Sequence, residues 1–350
     1  MKMKQLTVAM ITLLLTASCS EKQQDYPFRN PDLPLEERID DLLSRLTPEE
    51  KIGQMMNVTP AIERLGIPTY DWWNEALHGV ARAGRATVFP QAIAMAATFD
   101  DNAVHETFTM VSDEARAKYH QYQKDKEYDR YKGLTFWTPN INIFRDPRWG
   151  RGHETYGEDP FLTSRLGVRF VEGMQGDDPD YLQAAACAKH FAVHSGPESD
   201  RHHFNAIVSK QDLWETYLPA FRALVKEAGV EAVMGAYNRT NGEPCCGSKT
   251  LLKDILRDKW HFDGHVTSDC WAIKDFHTGH MVTDGPVESV ALAVNNGCDL
   301  NCGDLYVYLE QAVAEGKLSE EKIDESLTRL YVTRMRLGMF DAEDQVPYNK

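Results

Sequence analysis

The chain has 350 residues, of which 42% are hydrophobic, 10% aromatic and 26% charged, and its formal net charge is −15 at pH 7. This is the composition of an ordinary globular protein, and the length is sufficient for a substantial buried core. The acidic balance argues against a nucleic-acid partner, because phosphate binding requires a basic face and the sequence has no basic run.

The first residues have the pattern of an export signal. Lys2 and Lys4 precede an apolar run from Leu6 to Leu15, which has the length of a signal-peptide core and is too short to span a bilayer. Two small residues then precede Cys19, and this segment resembles a bacterial lipoprotein cleavage site. An ordinary signal peptide with an incidental cysteine is the alternative.

These features predict three parts of the chain. We expect a signal peptide over residues 1–19 with lipidation at Cys19, a tether over residues 20–34, and a folded domain over residues 35–345. The expected location is the bacterial periplasm or the outer-membrane surface, with the lipid anchor as the one membrane contact.

Six cysteines follow this segment, and none of them forms a CxxC pair, so a zinc ribbon is not expected. Export permits disulfides, but the spacing does not give their connectivity. The six are Cys187, Cys245, Cys246, Cys270, Cys298 and Cys302.

Amphipathic helix patterns alternate with short apolar runs along the folded domain. Helices are predicted over residues 34–46, 47–56, 100–119, 159–174, 209–228, 249–259, 287–296 and 319–339. Strands are predicted over residues 133–138, 184–189, 231–237, 264–268 and 297–300. Buried strands that alternate with helices predict a parallel sheet, and the number of units fits an α/β, (β/α)8 TIM-like barrel. A doubly wound sheet is the alternative, but the Gly-rich phosphate turn that would favour it is missing from the sequence.

Each predicted strand ends in polar or aromatic side chains. They are Trp137, Lys189, His190, Tyr237, Asn238, Ser268, Asp269 and Asp299. The carboxyl ends of barrel strands converge on one mouth, where active sites are built. Aromatic faces together with ionised groups suit a neutral polyhydroxylated ring, because the aromatics stack on its C–H face and the charges bond its hydroxyls.

Several motifs resemble family 3 of the glycoside hydrolases, and they occur in the order of that family. They are YDWWNEALHG (70–79), PNIN (139–142), RDPRWGR (145–151), KHF (189–191) and VTSD (266–269). The resemblance covers residues 35–345 and implies the N-terminal catalytic barrel of a retaining β-glycosidase.

The resemblance implies a role for each matching residue. Asp269 matches the nucleophile, which attacks the anomeric carbon and forms a glycosyl-enzyme ester. Lys189 and His190 match the pair that grips sugar hydroxyls, and the charge of Lys189 is expected to help keep Asp269 ionised.

Further matches complete the expected sugar site. Arg151 matches a sugar-binding arginine, whereas Arg148 is expected to brace its loop. Trp137 and Tyr237 match aromatic wall positions, with simple core packing as the alternative for each.

Glu75 is expected to select the sugar. The motif around it resembles the β-xylosidase branch, whereas glucosidase-like members carry Asp at this position. A carboxylate one methylene longer would occupy the space of a hexose CH2OH group, and such a difference discriminates about 10–200-fold. The predicted substrates are oligosaccharides from plant polysaccharides with terminal β-D-xylosyl residues, or β-D-glucosyl residues.

Histidines offer two alternatives. His190, His194, His202 and His203 with Asp200 suggest a metal site, but their spacing matches no zinc signature, and no metal or other cofactor is expected. A loop histidine such as His194 acts as acid/base in some members of the family, but the usual Gly-His-Gly pattern is not found here. Residues 198–201 are expected to rim the site.

A retaining mechanism also needs a general acid. In most members of this family it is a glutamate on a C-terminal α/β sandwich domain, and we expect this chain to lack that domain. The alternative to an active hydrolase is therefore a truncated, catalytically weak sugar-binding barrel, with the missing domain as a possible partner.

Overall fold

The computed structural model describes residues 26–194 and 196–349. The α-helices are Leu35–Ser44, Pro48–Gln54, Ala92–Ala96, Asp101–Asp125, Pro160–Gln175, Lys210–Asp212, Pro219–Lys226, Asp275–Thr278, Pro286–Asn295, Leu309–Ala314 and Glu320–Arg336. Two segments, Leu213–Tyr217 and Lys249–Lys259, are π-helical. Short 3₁₀ turns are Pro27–Arg29, Glu63–Leu65, Gly152–Glu154, Glu198–Asp200, Cys245–Gly247, Leu305–Tyr308 and Pro347–Asn349. The strands are β1 (Val58–Thr59), β2 (Tyr70–Asp71), β3 (Cys187–Phe191), β4 (Asn205–Ala206), β5 (Ala232–Gly235), β6 (Arg239–Thr240), β7 (Glu243–Pro244) and β8 (His265–Thr267).

The predicted helices are present, and two of them differ in extent. The helix predicted over residues 100–119 continues to Asp125. The helix predicted over residues 209–228 is divided, because a π-helical segment separates its first turn from Pro219–Lys226. Pro219 has no backbone N–H, so a regular helical ladder cannot pass through it.

Strands β3, β5 and β8 form the parallel sheet at the centre of the fold, in that spatial order. Single parallel bridges extend the sheet on both sides, one between Thr135 and Ala185 and one between Thr267 and Leu300. All residues of the three strands are buried, and helices Pro219–Lys226 and Glu320–Arg336 pack against β3 and β8.

The sheet closes into a ring. Met56 pairs in parallel with Asn301, and Asn74 pairs in parallel with Phe136. The amide of Trp72 donates to the carbonyl of Asn57 at 2.9 Å, which joins the first segment to the second. β2 differs from the other segments because it pairs antiparallel with β1. The closed ring with helices packed against it confirms the predicted α/β barrel.

Close helix packing supports the barrel wall next to the ring. Helices Asp101–Asp125 and Pro160–Gln175 lie side by side, and Ser112 Oγ donates to the carbonyl of Gly173 at 2.9 Å. A Cβ at Gly173 would lie 2.6 Å from the carbonyl oxygen of His105. Glycine is therefore required at this position for steric reasons.

The second half of the predicted tether does not extend into solvent. Phe28 is fully buried, and its carbonyl accepts a hydrogen bond from Nε of Arg38 at 3.1 Å. Arg29 Nη2 donates to the carbonyl of Gly66 at 2.8 Å. The first described residues, from Tyr26 onward, are therefore part of the packed domain, because Phe28 belongs to the core and Tyr26 packs against it. At the other end, Val346 is also fully buried, one residue beyond the predicted boundary.

The predicted signal peptide and Cys19 lie outside the described residues. Within the described ranges, no helix is long and apolar enough to cross a membrane.

Candidate active site

A cavity of about 340 Å³ opens at the carboxyl ends of the barrel strands. All seven residues predicted for the sugar site line it. The fold therefore brings together motifs that are far apart in the sequence. The lining residues are Trp73, Glu75, Arg82, Trp137, Arg151, Lys189, His190, Arg201, Met234, Tyr237, Asp269, Cys270 and Trp271.

Asp269 follows β8 and is 8% exposed. Its Oδ1 accepts a hydrogen bond from the amide of Cys270 at 2.8 Å. Its Oδ2 has no hydrogen-bond partner within the described part of the chain, and Nε2 of His190 lies 3.7 Å from it. One oxygen is thus anchored, and the other keeps its lone pairs for a reaction.

Burial raises the pKa of Asp269 above that of an ordinary carboxyl group. The guanidinium of Arg151, the amide of Cys270 and the ammonium of Lys189 act in the opposite direction, with Arg151 the strongest of the three. Lys189 therefore favours the ionised form, as predicted, but Arg151 contributes more, and burial outweighs both.

His190 is held as a neutral ring. The amide of His190 donates to Asn142 Oδ1 at 2.8 Å, which identifies that atom as an acceptor, and Nδ1 of the ring lies 2.9 Å from the same oxygen. Nδ1 therefore carries the proton, and Nε2 accepts from Nη1 of Arg151 at 3.1 Å. Burial lowers the pKa of His190 well below its usual value, with Arg151 as the next cause, which agrees with this assignment.

Arg151 connects this histidine to a carboxylate. Its Nε and Nη2 donate to the two carboxylate oxygens of Glu154 at 2.8 and 2.6 Å. A two-point contact of this kind fixes the plane of the guanidinium. The remaining nitrogen, Nη1, is thereby directed to His190 at the cavity wall.

Glu75 is held from two sides. Trp73 Nε1 donates to its Oε1 at 2.8 Å, and Nζ of Lys189 lies 3.7 Å from its Oε2. The indole comes from the same loop, and the lysine comes from β3. The carboxylate that was predicted to select the sugar is therefore fixed in position before a sugar binds.

Aromatic rings form the wall beside Glu75. Trp73 stacks on Trp137 with ring centroids 5.7 Å apart and planes inclined by 24°. Tyr237 also lines the cavity; burial raises its pKa and the charge of Asp269 raises it further, so its hydroxyl stays protonated. The predicted aromatic walls thus line the cavity, and Trp137 is also part of the core.

A disulfide joins Cys270 to Cys302 directly beside Asp269. The other cysteines within the described ranges are buried thiols, and they are Cys187, Cys245, Cys246 and Cys298.

Further residues line the cavity, and some of them had no sequence signal of their own. Arg201 comes from the loop after β3, which was predicted to rim the site, and its guanidinium lies over the ring of Tyr237 at 5.5 Å. Arg82 and Met234 also line the cavity. The positions of their side chains depend on the path of a loop and the orientation of a strand, which a short sequence motif does not specify.

Arg148 lies in an exposed loop outside the cavity. Its guanidinium forms two hydrogen bonds with Asp146 of the same loop, as predicted.

Three of the polar strand ends lie outside the cavity lining, and one of them, Ser268, accepts a hydrogen bond on Oγ from the amide of Cys302 at 2.9 Å. Asn238 donates to the carbonyl of Val193 at 2.9 Å, and Asp299 is fully buried between Arg257 and Arg329. A polar residue at a strand end therefore either lines the cavity or forms hydrogen bonds within the barrel wall, because adjacent side chains point to opposite sides of a strand.

The remaining histidines are dispersed. His194 is buried against His190 and Asn238, and burial lowers its pKa to about 3. His202 pairs with Asp275 through Nδ1 and Oδ2 at 2.7 Å. In the part of the chain that the structure describes, no group of three His, Cys, Asp or Glu side chains is arranged to hold a metal ion.

Comparisons with known proteins agree with this geometry. The profile of the glycosyl hydrolase family 3 N-terminal domain matches residues 43–333. A xylan 1,4-beta-xylosidase of Xylanibacter ruminicola is 48% identical over 97% of this chain, which spans 40% of that protein. A probable beta-D-xylosidase 7 of Arabidopsis thaliana is 43% identical over 92% of this chain, which spans 44% of that protein. This chain therefore spans less than half the length of these relatives.

Solved structures show the same fold. A family 3 exo-beta-xylosidase, XlnD, in complex with a xylobiose aziridine probe superposes with a TM-score of 0.85 at 33% identity, over 93% of this chain and 43% of that one. A beta-glucosidase of Listeria innocua in complex with isofagomine gives a TM-score of 0.74 at 30% identity, over 90% and 47% of the two chains. The chain thus belongs to glycosyl hydrolase family 3 and contains the N-terminal domain of that family.

Proposed function

We propose that this chain is the catalytic barrel of a retaining β-glycosidase that removes terminal β-D-xylosyl residues from oligosaccharides, with β-D-glucosyl residues as weaker substrates. The proposal rests on two carboxylates that line the same cavity. Asp269 has one carboxylate oxygen without a hydrogen bond among the described residues, and Glu75 is held in place by Trp73.

The chemistry follows from these positions. Oδ2 of Asp269 attacks the anomeric carbon, the bond to the leaving oxygen breaks, and a glycosyl ester forms, which water then hydrolyses. Lys189 and the His190–Arg151 pair supply fixed charges and dipoles for the sugar hydroxyls. Because these groups are already in place, little reorganisation is needed as charge develops on the ring.

The preference for a pentose rests on Glu75. Its carboxylate is tied to Trp73 and lies beside Lys189, so it cannot easily move away from an exocyclic CH2OH group. A xylose unit lacks that group. The names of the relatives, which are mostly xylosidases, support the same preference.

The test compares kcat/KM for 4-nitrophenyl β-xyloside and 4-nitrophenyl β-glucoside. The wild-type protein is expected to prefer the xyloside, and Glu75→Asp should shift the ratio toward the glucoside by about 10–200-fold, because one methylene of space is released. Glu288→Asp, in a surface ion pair with Lys317, is the matched control and should leave the ratio unchanged. An unchanged ratio in Glu75→Asp would remove this residue from the sugar site.

A second candidate is a sugar-binding barrel that is completed by an acid from elsewhere. The carboxylates that line the described cavity are Glu75 and Asp269, and Glu75 is already engaged by Trp73. Retention requires a second carboxyl group about 5–5.5 Å from the nucleophile. A nitrophenolate leaves without an acid, so binding of xylose with no release of nitrophenol from 4-nitrophenyl β-xyloside would show that Asp269 does not act in this chain and would favour a barrel that only binds sugar.

We also propose export, with lipidation at Cys19 and attachment to the outside of a bacterial membrane. The Cys270–Cys302 disulfide supports export, because disulfides form and persist in oxidising compartments. Labelled fatty acid should be incorporated by the wild-type chain and lost in Cys19→Ala. Cleavage without label would indicate an exported protein that has no lipid.

A further inference from the structure

We propose that the Cys270–Cys302 disulfide is a positioning element for Asp269, and that the protein with both thiols reduced is a slower catalyst. The inference rests on the proposed function, because it concerns the geometry of the same nucleophile. Both cysteines are buried, and Cys270 is part of the cavity wall.

The disulfide joins two neighbouring segments of the ring at the level of the nucleophile. Cys270 directly follows Asp269 at the end of β8, and Cys302 lies two residues after Leu300, which forms a parallel bridge with Thr267. The Cα atoms of the two cysteines are 4.3 Å apart. A covalent link at this point prevents the two strand ends from separating.

Hydrogen bonds on both sides of Asp269 depend on the same alignment. The amide of Ser268 donates to the carbonyl of Leu300 at 2.9 Å, and the amide of Cys302 donates to Oγ of Ser268 at 2.9 Å. The amide of Trp271 donates to the carbonyl of Cys302 at 2.7 Å. Asp269 is therefore flanked by contacts to the segment that the disulfide holds.

The disulfide also acts on the carboxylate itself. The amide of Cys270 is the donor to Asp269 Oδ1, so a movement of Cys270 would rotate the carboxylate and turn Oδ2 away from the bound sugar.

The same link supports the mouth of the cavity. Trp271 is 50% exposed and has φ of 63°, which is an unfavourable backbone conformation for a tryptophan. Its ring packs beside Gly303, where an added Cβ would lie 3.2 Å from Cδ1 of the indole. Cys270 and Cys302 thus anchor both the nucleophile and one aromatic wall.

Reduction is a defined chemical step. Dithiothreitol supplies two electrons and two protons, the S–S bond breaks, Cys270 and Cys302 become thiols, and the reductant becomes a cyclic disulfide. Because a displacement of about 1 Å at reacting atoms costs about 10²-fold in rate, we expect a large effect on kcat and a small effect on KM.

The first experiment measures kcat and KM on 4-nitrophenyl β-xyloside for the oxidised protein, the reduced protein and Cys270→Ser/Cys302→Ser. We expect kcat to fall about 10–100-fold in the last two with little change in KM. Cys245→Ala, which removes a buried free thiol, is the matched control and should retain the wild-type kcat. An unchanged kcat in the double variant, measured where it is folded, would overturn the proposal.

The second experiment does not depend on turnover. Hydrogen–deuterium exchange should become faster for peptides over residues 266–273 and 299–304 in the double variant, and it should stay unchanged there in Cys245→Ala. Equal protection of these peptides would show that the disulfide does not hold the segment, and would refute the proposal. If the oxidised wild-type protein has no activity on aryl glycosides, the proposed function fails, and exchange still decides the positioning role.

Discussion

Two buried carboxylates lie in neighbouring segments of the barrel, and their surroundings are opposite. Asp299 accepts hydrogen bonds from Arg329 at 2.8 Å, from Arg257 at 3.0 Å and from the amide of Val266 at 2.8 Å. Asp269 accepts one bond on Oδ1 and none on Oδ2 within the described residues. Both residues lie at the end of a predicted strand, so the sequence presents them as similar.

The surroundings of Asp299 suit a residue that stabilises the fold, whereas those of Asp269 suit a residue that reacts. Burial of a charge is costly unless it is paired and hydrogen-bonded, and Asp299 meets both conditions. Asp269 meets them in part, so it keeps a raised pKa and a reactive oxygen at a cost in stability. Substitutions at the two positions should therefore have opposite consequences.

The largest expected effect is on catalysis by Asp269→Asn. Loss of the covalent nucleophile should lower kcat on 4-nitrophenyl β-xyloside by about 10⁴-fold. The fold should be retained, and the melting temperature at pH 7 should not fall. The wild-type protein loses stability as pH rises through the raised pKa of Asp269, whereas asparagine carries no charge to bury. Activity close to wild type would refute the nucleophile assignment.

A second prediction concerns the general acid that protonates the leaving oxygen, a role that neither aspartate fills. Asp269 is the nucleophile, and Asp299 is enclosed in ion pairs, so this 350-residue chain should turn over xylobiose very poorly compared with the aryl xyloside. General acid catalysis is worth about 10²–10⁴-fold, and a nitrophenolate leaves without it. Similar rates on the two substrates would place an acid within the described chain, with Glu198 as the first residue to substitute.

Asp299→Asn tests whether the ion pairs of Asp299 stabilise the fold. Removal of the charge leaves Arg257 without its carboxylate and Arg329 with Glu325 at 3.9 Å, and should lower the free energy of unfolding by about 3–5 kcal/mol. Urea denaturation measures this. Asp324→Asn, which breaks a partly exposed pair with Lys51, should cost about 0–1 kcal/mol and is the control. The fraction of Asp299→Asn that remains folded should keep its kcat.

The smallest expected effect is a shift of a pH profile. Arg151 is the strongest of the groups that lower the pKa of Asp269, so Arg151→Gln should raise that pKa further. The ionised nucleophile is lost as pH falls through this pKa, and the acid limb of kcat/KM on the aryl xyloside should move to higher pH. Arg148→Gln, in the exposed pair with Asp146, should leave the limb in place. A limb that does not move in Arg151→Gln would contradict the role of this guanidinium.

The sequence by itself determined the chemistry-bearing positions and the class of fold. Amphipathic periods locate helices because one helical face must be buried, and apolar runs such as the one before Asp269 locate central strands. Lys189 and Asp269 were predicted for one site because strand ends meet at one mouth of a barrel, and Glu75 was added to that site because its motif resembles a known family. These residues line one cavity, and their assignment to a sugar site and their individual roles stay predictions.

The tertiary structure decided what depends on distant parts of the chain. Asp269 and Asp299 diverge because two arginines, Arg257 and Arg329, reach one carboxylate from other elements and not the other. The pairing of Cys270 with Cys302 follows from the adjacency of two ring segments, which cysteine spacing does not encode. Phe28 is a core residue because its ring packs edge-on against Phe340 from the other end of the chain. The local sequence determines which positions carry apolar or charged side chains. The residues that these side chains contact are determined by how the barrel closes.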